Sequence, residues 1–217
     1  MDFLPTNIAQ YAENHTSEES VLLKTLNRDT NAKILQSRML SGHLQGRTLA
    51  MIAQLMQAQN ILEIGTYTGY ASLCLAEALP STGRLVTIDV NEELEDFTRF
   101  YFNQSIHNQQ ISYIIGDALK IIPTLDFTFD LVFIDADKKN NLNYYHQVFD
   151  KVKIGGLIIT DNVLWSGKVA EDYSLKKPDK DTQLMLEFND FVQQDSRVEN
   201  VLLPIRDGLL LARKISA

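Results

Sequence analysis

From residue 60 onward, short apolar runs alternate with longer amphipathic stretches, and this alternation restricts the chain to few folds. The apolar runs occupy residues 61–64, 85–88, 111–115, 131–134 and 157–159. The stretches between them have the length of helices and include residues 70–79, 92–107 and 141–152. Strand and helix repeated in this order predict a parallel sheet with crossover helices, which is the α/β class.

The two ends of the chain differ from this central pattern. Asp207 and Gly208 separate two final apolar runs, which predicts an antiparallel hairpin at the end of the sheet. Residues 1–59 contain no convincing strand and are predicted to form two or three helices, with Thr16 or Ser17 as a cap. With no linker or repeat to divide it, the chain is expected to form a single domain over residues 1–217, a helical segment at 1–59 preceding the core at 60–217.

Composition and charge narrow the class of protein. The chain has 217 residues, 45% of them hydrophobic, and a formal net charge of -8, which argues against a surface built to hold phosphate backbones. Cys74 is the only cysteine, so a reducing compartment is expected. The first ten residues do not resemble a secretory signal, and no apolar run approaches the roughly 18 residues that span a bilayer. We therefore expect a cytoplasmic protein with no membrane partner.

The first motif is ILEIGTYTGY at residues 61–70, where an apolar strand leads through a glycine turn into a helix. Gly65 and Gly69 let a ligand approach the backbone closely beside the start of the helix. The spacing is not the dinucleotide fingerprint G-x-G-x-x-G. Glu63 would repel a pyrophosphate but suits a cationic ligand group. The alternative is a structural turn with Glu63 facing solvent.

Two further acidic positions follow the next strands. Asp89 ends the run RLVTID, at the tip of the second strand, where a carboxylate can accept hydrogen bonds from ribose hydroxyls. Asp117 and Ala118, in IGDAL, follow the third strand and are placed to flank an adenine ring. An ordinary helix cap by Asp117 is the competing interpretation.

Polar side chains also follow the fourth and fifth strands. Asp135 follows the run at 131–134, and Asp161 with Asn162 follows the next run, after a helix and a turn at Gly155 and Gly156. In a right-handed β-α-β unit both strand ends meet at the carboxyl edge of the sheet, where open α/β sheets bind ligands. Two carboxylates and an amide oxygen suit Mg²⁺, Mn²⁺ or Ca²⁺ better than zinc. The alternative is that Asp161 and Asn162 form a polar turn only.

The histidines share no spacing typical of a metal site, so surface or interior roles are their default. His43 could still reach the site from the segment before the first strand. Trp165, three residues beyond Asn162, fits a substrate-stacking wall as well as it fits a core position.

Five segments in this order resemble one known family: EIGTYTGY, TIDVNEE, GDAL, FIDADKKNNLNYY and GGLIITDNVLWSGKV. From about residue 38 to residue 214 the chain is similar to the cation-dependent O-methyltransferases that use S-adenosylmethionine, the caffeoyl-CoA and catechol O-methyltransferases and their bacterial members. The resemblance implies a Rossmann-like class I methyltransferase fold, with a seven-stranded, mostly parallel sheet ending in an antiparallel hairpin. It also implies a homodimer.

The resemblance assigns roles position by position. It implies that Asp135, Asp161 and Asn162 bind the divalent cation, Mg²⁺ by preference, and that Lys138 is the general base. The positions that it implies for S-adenosylmethionine are Met39, Ser41, Glu63, Gly65, Thr66, Tyr67, Gly69, Ala71, Asp89, Asp117, Ala118, Asp135 and Asp137. Many relatives carry a serine where this chain has Ala71, and the adjacent Ser72 would face elsewhere on a helix.

The predicted reaction is therefore O-methylation of a catechol-like small molecule, with Trp165, Tyr144 or Tyr145, and His43 around the acceptor. Methylation of a hydroxylated tRNA uridine at the same metal site is the alternative, and the excess of 28 Asp and Glu over 20 Lys and Arg counts against it. A nicotinamide-dependent oxidoreductase lacks its glycine fingerprint here. A non-catalytic cofactor-binding module would not need Lys138 beside a metal.

Overall fold

The computed structural model describes residues 4–174 and 176–217. Seven strands were found: β1 (Asn60–Ile64), β2 (Arg84–Asp89), β3 (Ile111–Ile115), β4 (Phe129–Ile134), β5 (Val152–Asp161), β6 (Val198–Leu203) and β7 (Leu209–Lys214). They form one sheet in the order β3-β2-β1-β4-β5-β7-β6. Strands β1 to β5 are parallel, and β7 runs antiparallel between β5 and β6. The predicted α/β sheet with its final hairpin is confirmed.

Eight α-helices surround the sheet in the part of the chain that the structure describes: α1 (Thr6–Asn14), α2 (Val21–Lys33), α3 (Gly42–Leu55), α4 (Tyr70–Glu77), α5 (Glu95–Phe102), α6 (Ala118–Ile121), α7 (Asn141–Phe149) and α8 (Lys180–Gln194). Three of them precede β1, as predicted. The predicted cap is wrong. Ser20 caps α2 by accepting a hydrogen bond from the Leu23 amide, whereas the Thr16 hydroxyl donates to Ala12 at the end of α1.

The central strands are buried on both faces, as their continuous apolar runs predict. In β4, Val132 and Ile134 pack with α6, α7 and α8 on one face of the sheet. Leu131 and Phe133 point to the opposite face, where they pack with α3 and α4. Alternate residues of one strand therefore serve two separate cores. This arrangement holds β1 and β4 rigidly in the middle of the sheet, next to each other.

The predicted turn at Gly155 and Gly156 is wrong, because both residues lie inside β5. The β4–β5 register shifts between Phe129 and Leu131, so extra β5 residues bulge out of the ladder. Gly155 has a φ of 86° in this bulge, and a Cβ on Gly156 would lie 3.0 Å from the Asp130 carbonyl oxygen. Glycine is required here by the bulge rather than by a chain reversal.

The polar stretch at 166–181 reads from its sequence as a surface loop, but it is partly helical among its described residues. A short 3₁₀ helix spans Trp165–Ala170, and α8 begins at Lys180 after the Asp179 cap. None of the helices that the structure describes is both long and apolar enough to cross a membrane.

Candidate functional site

The carboxyl ends of β1 and β4 approach each other very closely. Gly65, the residue after β1, has a φ of 100°, and a Cβ on it would lie 2.0 Å from the Asp135 carbonyl oxygen. The Asp135 amide donates to the Ile64 carbonyl at 2.8 Å, which extends the strand pairing by one residue. Only glycine fits at this position, so the turn after β1 lies directly against the first residue after β4.

A small pocket of about 10 Å³ lies at this junction and is bordered by the turn after β1, the start of α4 and the segment before α3. Its lining residues are Met39, Leu40, Ser41, Gly65, Thr66, Tyr67, Tyr70, Ala71 and Asp135. Seven of these nine are positions that the sequence assigns to the cofactor, and Leu40 and Tyr70 are additions. Residues from four separate segments of the chain therefore surround one pocket.

Glu63 lies near the end of β1, two residues before Gly65, and is completely buried. The hydroxyls of Ser72 and Thr87 both donate to its Oε2, while its Oε1 has no hydrogen-bond partner among the described residues. Burial raises the pKa of Glu63 to about 8, and the negative charges of Asp135 and Asp89 add to the rise. The hydrogen bonds from Ser72 and Thr87 lower the pKa but do not outweigh burial. The solvent-facing alternative for Glu63 is wrong, and Ser72 faces this carboxyl group rather than the pocket.

Asp89 and Asp117 accept hydrogen bonds from backbone amides at the carboxyl ends of β2 and β3. Asp89 Oδ2 accepts a hydrogen bond from the Tyr67 amide at 2.6 Å, and its Oδ1 accepts one from the Asn91 amide at 2.8 Å. Asp117 caps α6 by accepting from the Leu119 amide at 3.0 Å, with Ala118 buried behind it. The helix cap at Asp117 is thus real, and its adenine role stays a prediction.

The second half of the site lies at the ends of β4 and β5. Ile134 pairs with Thr160 in the parallel ladder, so Asp135 and Asp161 are neighbours at the edge of the sheet. Lys138 Nζ lies 3.1 Å from Asp135 Oδ1 and 3.5 Å from the Asp161 carbonyl oxygen. Burial and the nearby Asp135 carboxylate raise the pKa of Asp161, while Lys138 lowers it. The Lys138 ammonium therefore lies at the ends of β4 and β5, where the carboxylates of Asp135 and Asp161 repel each other.

Gln45 of α3 contacts the site but is not marked by the sequence. It is fully buried, and its Nε2 donates to Asp161 Oδ2 at 2.7 Å across 116 positions of the chain. The Asn162 amide donates to the other oxygen, Asp161 Oδ1, at 2.6 Å. No periodicity or motif marks Gln45, because its role depends on where α3 packs on the sheet. Both carboxylate oxygens of Asp161 are therefore held in place.

The donor chemistry of this edge fits a hard divalent cation. Among the described residues there is no cluster of three or more His, Cys, Asp or Glu side chains. An all-oxygen set is instead offered by the carboxylates of Asp135 and Asp161 and the side-chain amide oxygen of Asn162. Mg²⁺, Mn²⁺ and Ca²⁺ prefer such oxygen ligands. A cation would relieve the repulsion between the two carboxylates, which Lys138 offsets together with the hydrogen bonds that Gln45 and the Asn162 backbone amide donate to Asp161.

The remaining predicted positions lie around the edge with different surroundings. Asp137 accepts hydrogen bonds from the Tyr144 hydroxyl at 2.6 Å and from the Asn140 side chain at 2.7 Å. Tyr144 is buried beneath Asp137, and Tyr145 is fully buried in the core with its hydroxyl on Asp195, so Tyr145 is not an acceptor wall. The acceptor-wall prediction therefore depends on Trp165.

Trp165 and His43 are the two remaining positions predicted around the acceptor. Trp165 has a φ of 48° and is half-buried. Its buried part packs against the core, as a core position would, while its exposed part fits a substrate-stacking wall. His43 Nε2 donates to the Ser17 carbonyl at 2.7 Å.

Gly69 has a φ of 86° and lies against Phe102, so a glycine is needed for close packing at the start of α4.

Comparison with known proteins gives a consistent picture. The family model described as O-methyltransferase matches residues 13–215. The caffeoyl-CoA O-methyltransferase of Petroselinum crispum is 37% identical over 201 residues, which cover 87% of this chain and 82% of that protein. The crystal structure of the O-methyltransferase TomG from Streptomyces achromogenes in complex with SAM has a TM-score of 0.85 at 29% identity, covering 97% of this chain and 96% of TomG. The SAH-bound methyltransferase PaMTH1 of Podospora anserina has a TM-score of 0.88 at 26% identity, covering 99% of both chains.

Proposed function

The chain belongs to the O-methyltransferase family, and from this premise we propose that it methylates a hydroxyl of a small vicinal diphenol. The methyl donor in this proposal is S-adenosylmethionine, and a divalent cation is held by Asp135, Asp161 and Asn162. The SAM and SAH complexes of the similar structures support the donor. The oxygen donor set at the ends of β4 and β5 supports the cation.

One observation carries the proposal: Asp135 belongs to both halves of the site. It lines the pocket bordered by Gly65 and Tyr67, and it is also the neighbour of Asp161 across the β4–β5 ladder. An acceptor oxygen held near Asp161 would thus face a donor held in the pocket. Such alignment of two reactants is worth several orders of magnitude in rate.

The chemical need is to ionise a weak acid at neutral pH. A phenol with a pKa near 10 is about one part in a thousand ionised at pH 7, a deficit of about 4 kcal/mol. When bound, the cofactor supplies a methyl carbon that leaves sulfur for the acceptor oxygen, and the cation supplies a Lewis acid.

The chain's own residues prepare and complete this step. After its ammonium has released a proton to solvent, Lys138 Nζ, beside Asp135, accepts the hydroxyl proton as a neutral amine, and Gln45 keeps the Asp161 carboxylate oriented. Glu63, once its proton has passed to solvent on binding, complements the positive charge of the donor.

Charge favours a small acceptor over tRNA. Binding through several phosphates needs clustered Lys and Arg, whereas this chain has 20 of them against 28 Asp and Glu. The densest basic segment contains Lys176, Lys177 and Lys180. Within it Lys176 is paired with Glu171 at 3.4 Å, and Lys168, which precedes the segment, is paired with Asp179 at 2.9 Å. A small diphenol needs only the metal, Lys138 and an apolar wall at Trp165.

A panel of vicinal diphenols and undermodified tRNA, assayed with methyl-labelled cofactor, tests the acceptor. We expect turnover on at least one diphenol, with rates nearly constant from 50 to 200 mM salt. Over that interval a protein with about 6–10 phosphate contacts loses about 10³–10⁵ in affinity. Efficient methylation of tRNA with no turnover on any diphenol would replace this acceptor with the nucleic acid.

A further inference from the structure

The turn between β6 and β7 contains an arginine in a backbone conformation that favours glycine. Arg206 has a φ of 50°, in the left-handed region that L residues with a side chain disfavour. The turn itself is closed by the Gly208 amide, which donates to the Ile205 carbonyl at 2.9 Å. Closure of the hairpin therefore does not use the Arg206 side chain, and the strained arginine needs another explanation.

The guanidinium of Arg206 reaches the segment that precedes α3. Its Nη1 donates to the carbonyls of Leu40 and Ser41, and its Nη2 lies 3.4 Å from the Arg38 carbonyl. Three residues of the 38–41 segment, namely Met39, Leu40 and Ser41, line the cofactor pocket. A single fork-shaped cation thus contacts three backbone carbonyls within residues 38–41, at one wall of the pocket, across about 165 positions of sequence.

The next two residues of the turn contact the loop at residues 163–166. Asp207 Oδ1 accepts from the Ser166 amide at 2.6 Å, and the Asp207 carbonyl accepts from the Leu164 amide at 2.8 Å. Gly208, with a φ of 90°, packs so closely that a Cβ would lie 2.6 Å from Leu164 Cγ. This loop directly follows Asp161 and Asn162 and carries Trp165.

We propose that the Arg206–Asp207 pair positions both walls of the site, Arg206 the cofactor wall at 38–41 and Asp207 the acceptor wall at 163–166. Neither residue touches a reacting atom in this assignment, so both are positioning residues. The inference rests on the proposed function, because it takes S-adenosylmethionine and the diphenol as the two ligands. It predicts that substitution of Arg206 weakens the binding of S-adenosylmethionine, whereas substitution of the adjacent Asp207 weakens the binding of the diphenol.

Arg206→Gly is the sharpest variant, since glycine relieves the backbone strain while removing the guanidinium. We expect its calorimetric dissociation constant for S-adenosylmethionine to rise about tenfold or more, from the loss of charged hydrogen bonds, with an unchanged or higher thermal midpoint. Arg206→Lys should recover only part of the affinity, because one ammonium cannot span three carbonyls. Arg213→Ala, which removes an exposed arginine paired with Glu199 in the same hairpin, is the matched control and should bind like wild type.

Asp207→Ala should leave cofactor affinity unchanged and raise KM for the diphenol. Asp207→Asn should restore KM, because its amide oxygen still accepts from Ser166. Wild-type affinity in Arg206→Gly, or a loss of affinity in proportion to a lowered thermal midpoint, would overturn the positioning role. Equal effects of both substitutions on both ligands would overturn the division between the walls. A wild-type protein that binds no S-adenosylmethionine would instead overturn the proposed function.

Discussion

At the scale of single residues, Glu63 is a carboxyl group whose environment favours the protonated form. It is fully buried, and its Oε1 has no partner among the described residues. Its pKa rises from an ordinary 4.5 to about 8, chiefly through burial. A group that binds its proton more tightly in the folded state destabilises that state as pH rises between the two values.

We therefore predict that the ligand-free protein loses stability between pH 5 and 8 relative to Glu63→Gln, which cannot titrate. The difference in unfolding free energy should change by up to ~1.4 kcal/mol per pH unit while the folded state alone holds the proton. Urea denaturation of both proteins at matched pH values measures this difference. Parallel stability curves would show that Glu63 is already ionised in the folded protein.

Lys138 and Lys139 are adjacent in sequence but differ in their surroundings. The Lys138 side chain is 15% exposed and its Nζ lies 3.1 Å from Asp135, whereas Lys139 is 72% exposed and 3.9 Å from Asp137. Lys138→Ala should lower kcat by roughly 10²–10⁴-fold, the usual effect of losing a general base, with little change in cofactor affinity. Lys139→Ala is the matched control and should change kcat little. Similar mild effects of both would indicate a solvated basic pair.

At the scale of elements, the contact between the ends of β1 and β4 is the feature on which the pocket depends. Gly65→Ala would place a methyl group 2.0 Å from the Asp135 carbonyl oxygen, so one strand end must move. We predict loss of S-adenosylmethionine binding together with a destabilisation greater than the roughly 1–2 kcal/mol of left-handed strain alone. Calorimetry and urea denaturation measure the two effects.

Gly155→Ala is the control for this prediction. Its φ of 86° gives comparable strain, but the nearest atom to a Cβ there is 3.9 Å away, in the bulge of β5. It should lose only the strain energy and keep cofactor binding. If Gly65→Ala binds the cofactor as well as Gly155→Ala does, the close approach of β1 and β4 does not shape the pocket.

The same elements show what can be predicted from sequence. Runs such as that ending at Ile64, and the turn around Gly65, are local signals, and their strands and positions follow from them. The bulge at Gly155 cannot be predicted from local sequence, because it depends on the register between β5 and β4. Gln45 and Arg206 act across 116 and about 165 positions, so only the packing of α3 and the hairpin reveals them.

At the scale of the whole molecule, fold and family agree. The sheet order, with β7 antiparallel between β5 and β6, is accompanied by an O-methyltransferase match over residues 13–215. The net charge of -8 belongs to this scale too, since it bears on which acceptors the surface can attract. The homodimer and the single domain over residues 1–217 stay predictions.

Methyl transfer from labelled S-adenosylmethionine to a vicinal diphenol, before and after removal of metal, tests the central claim most directly. EDTA should abolish turnover and Mg²⁺ or Mn²⁺ should restore it, because Asp135, Asp161 and Asn162 form an all-oxygen cation site. Asp161→Ala should not be restored by either ion, although it should still bind the cofactor in its separate pocket. Full turnover by metal-free wild-type enzyme would contradict the account.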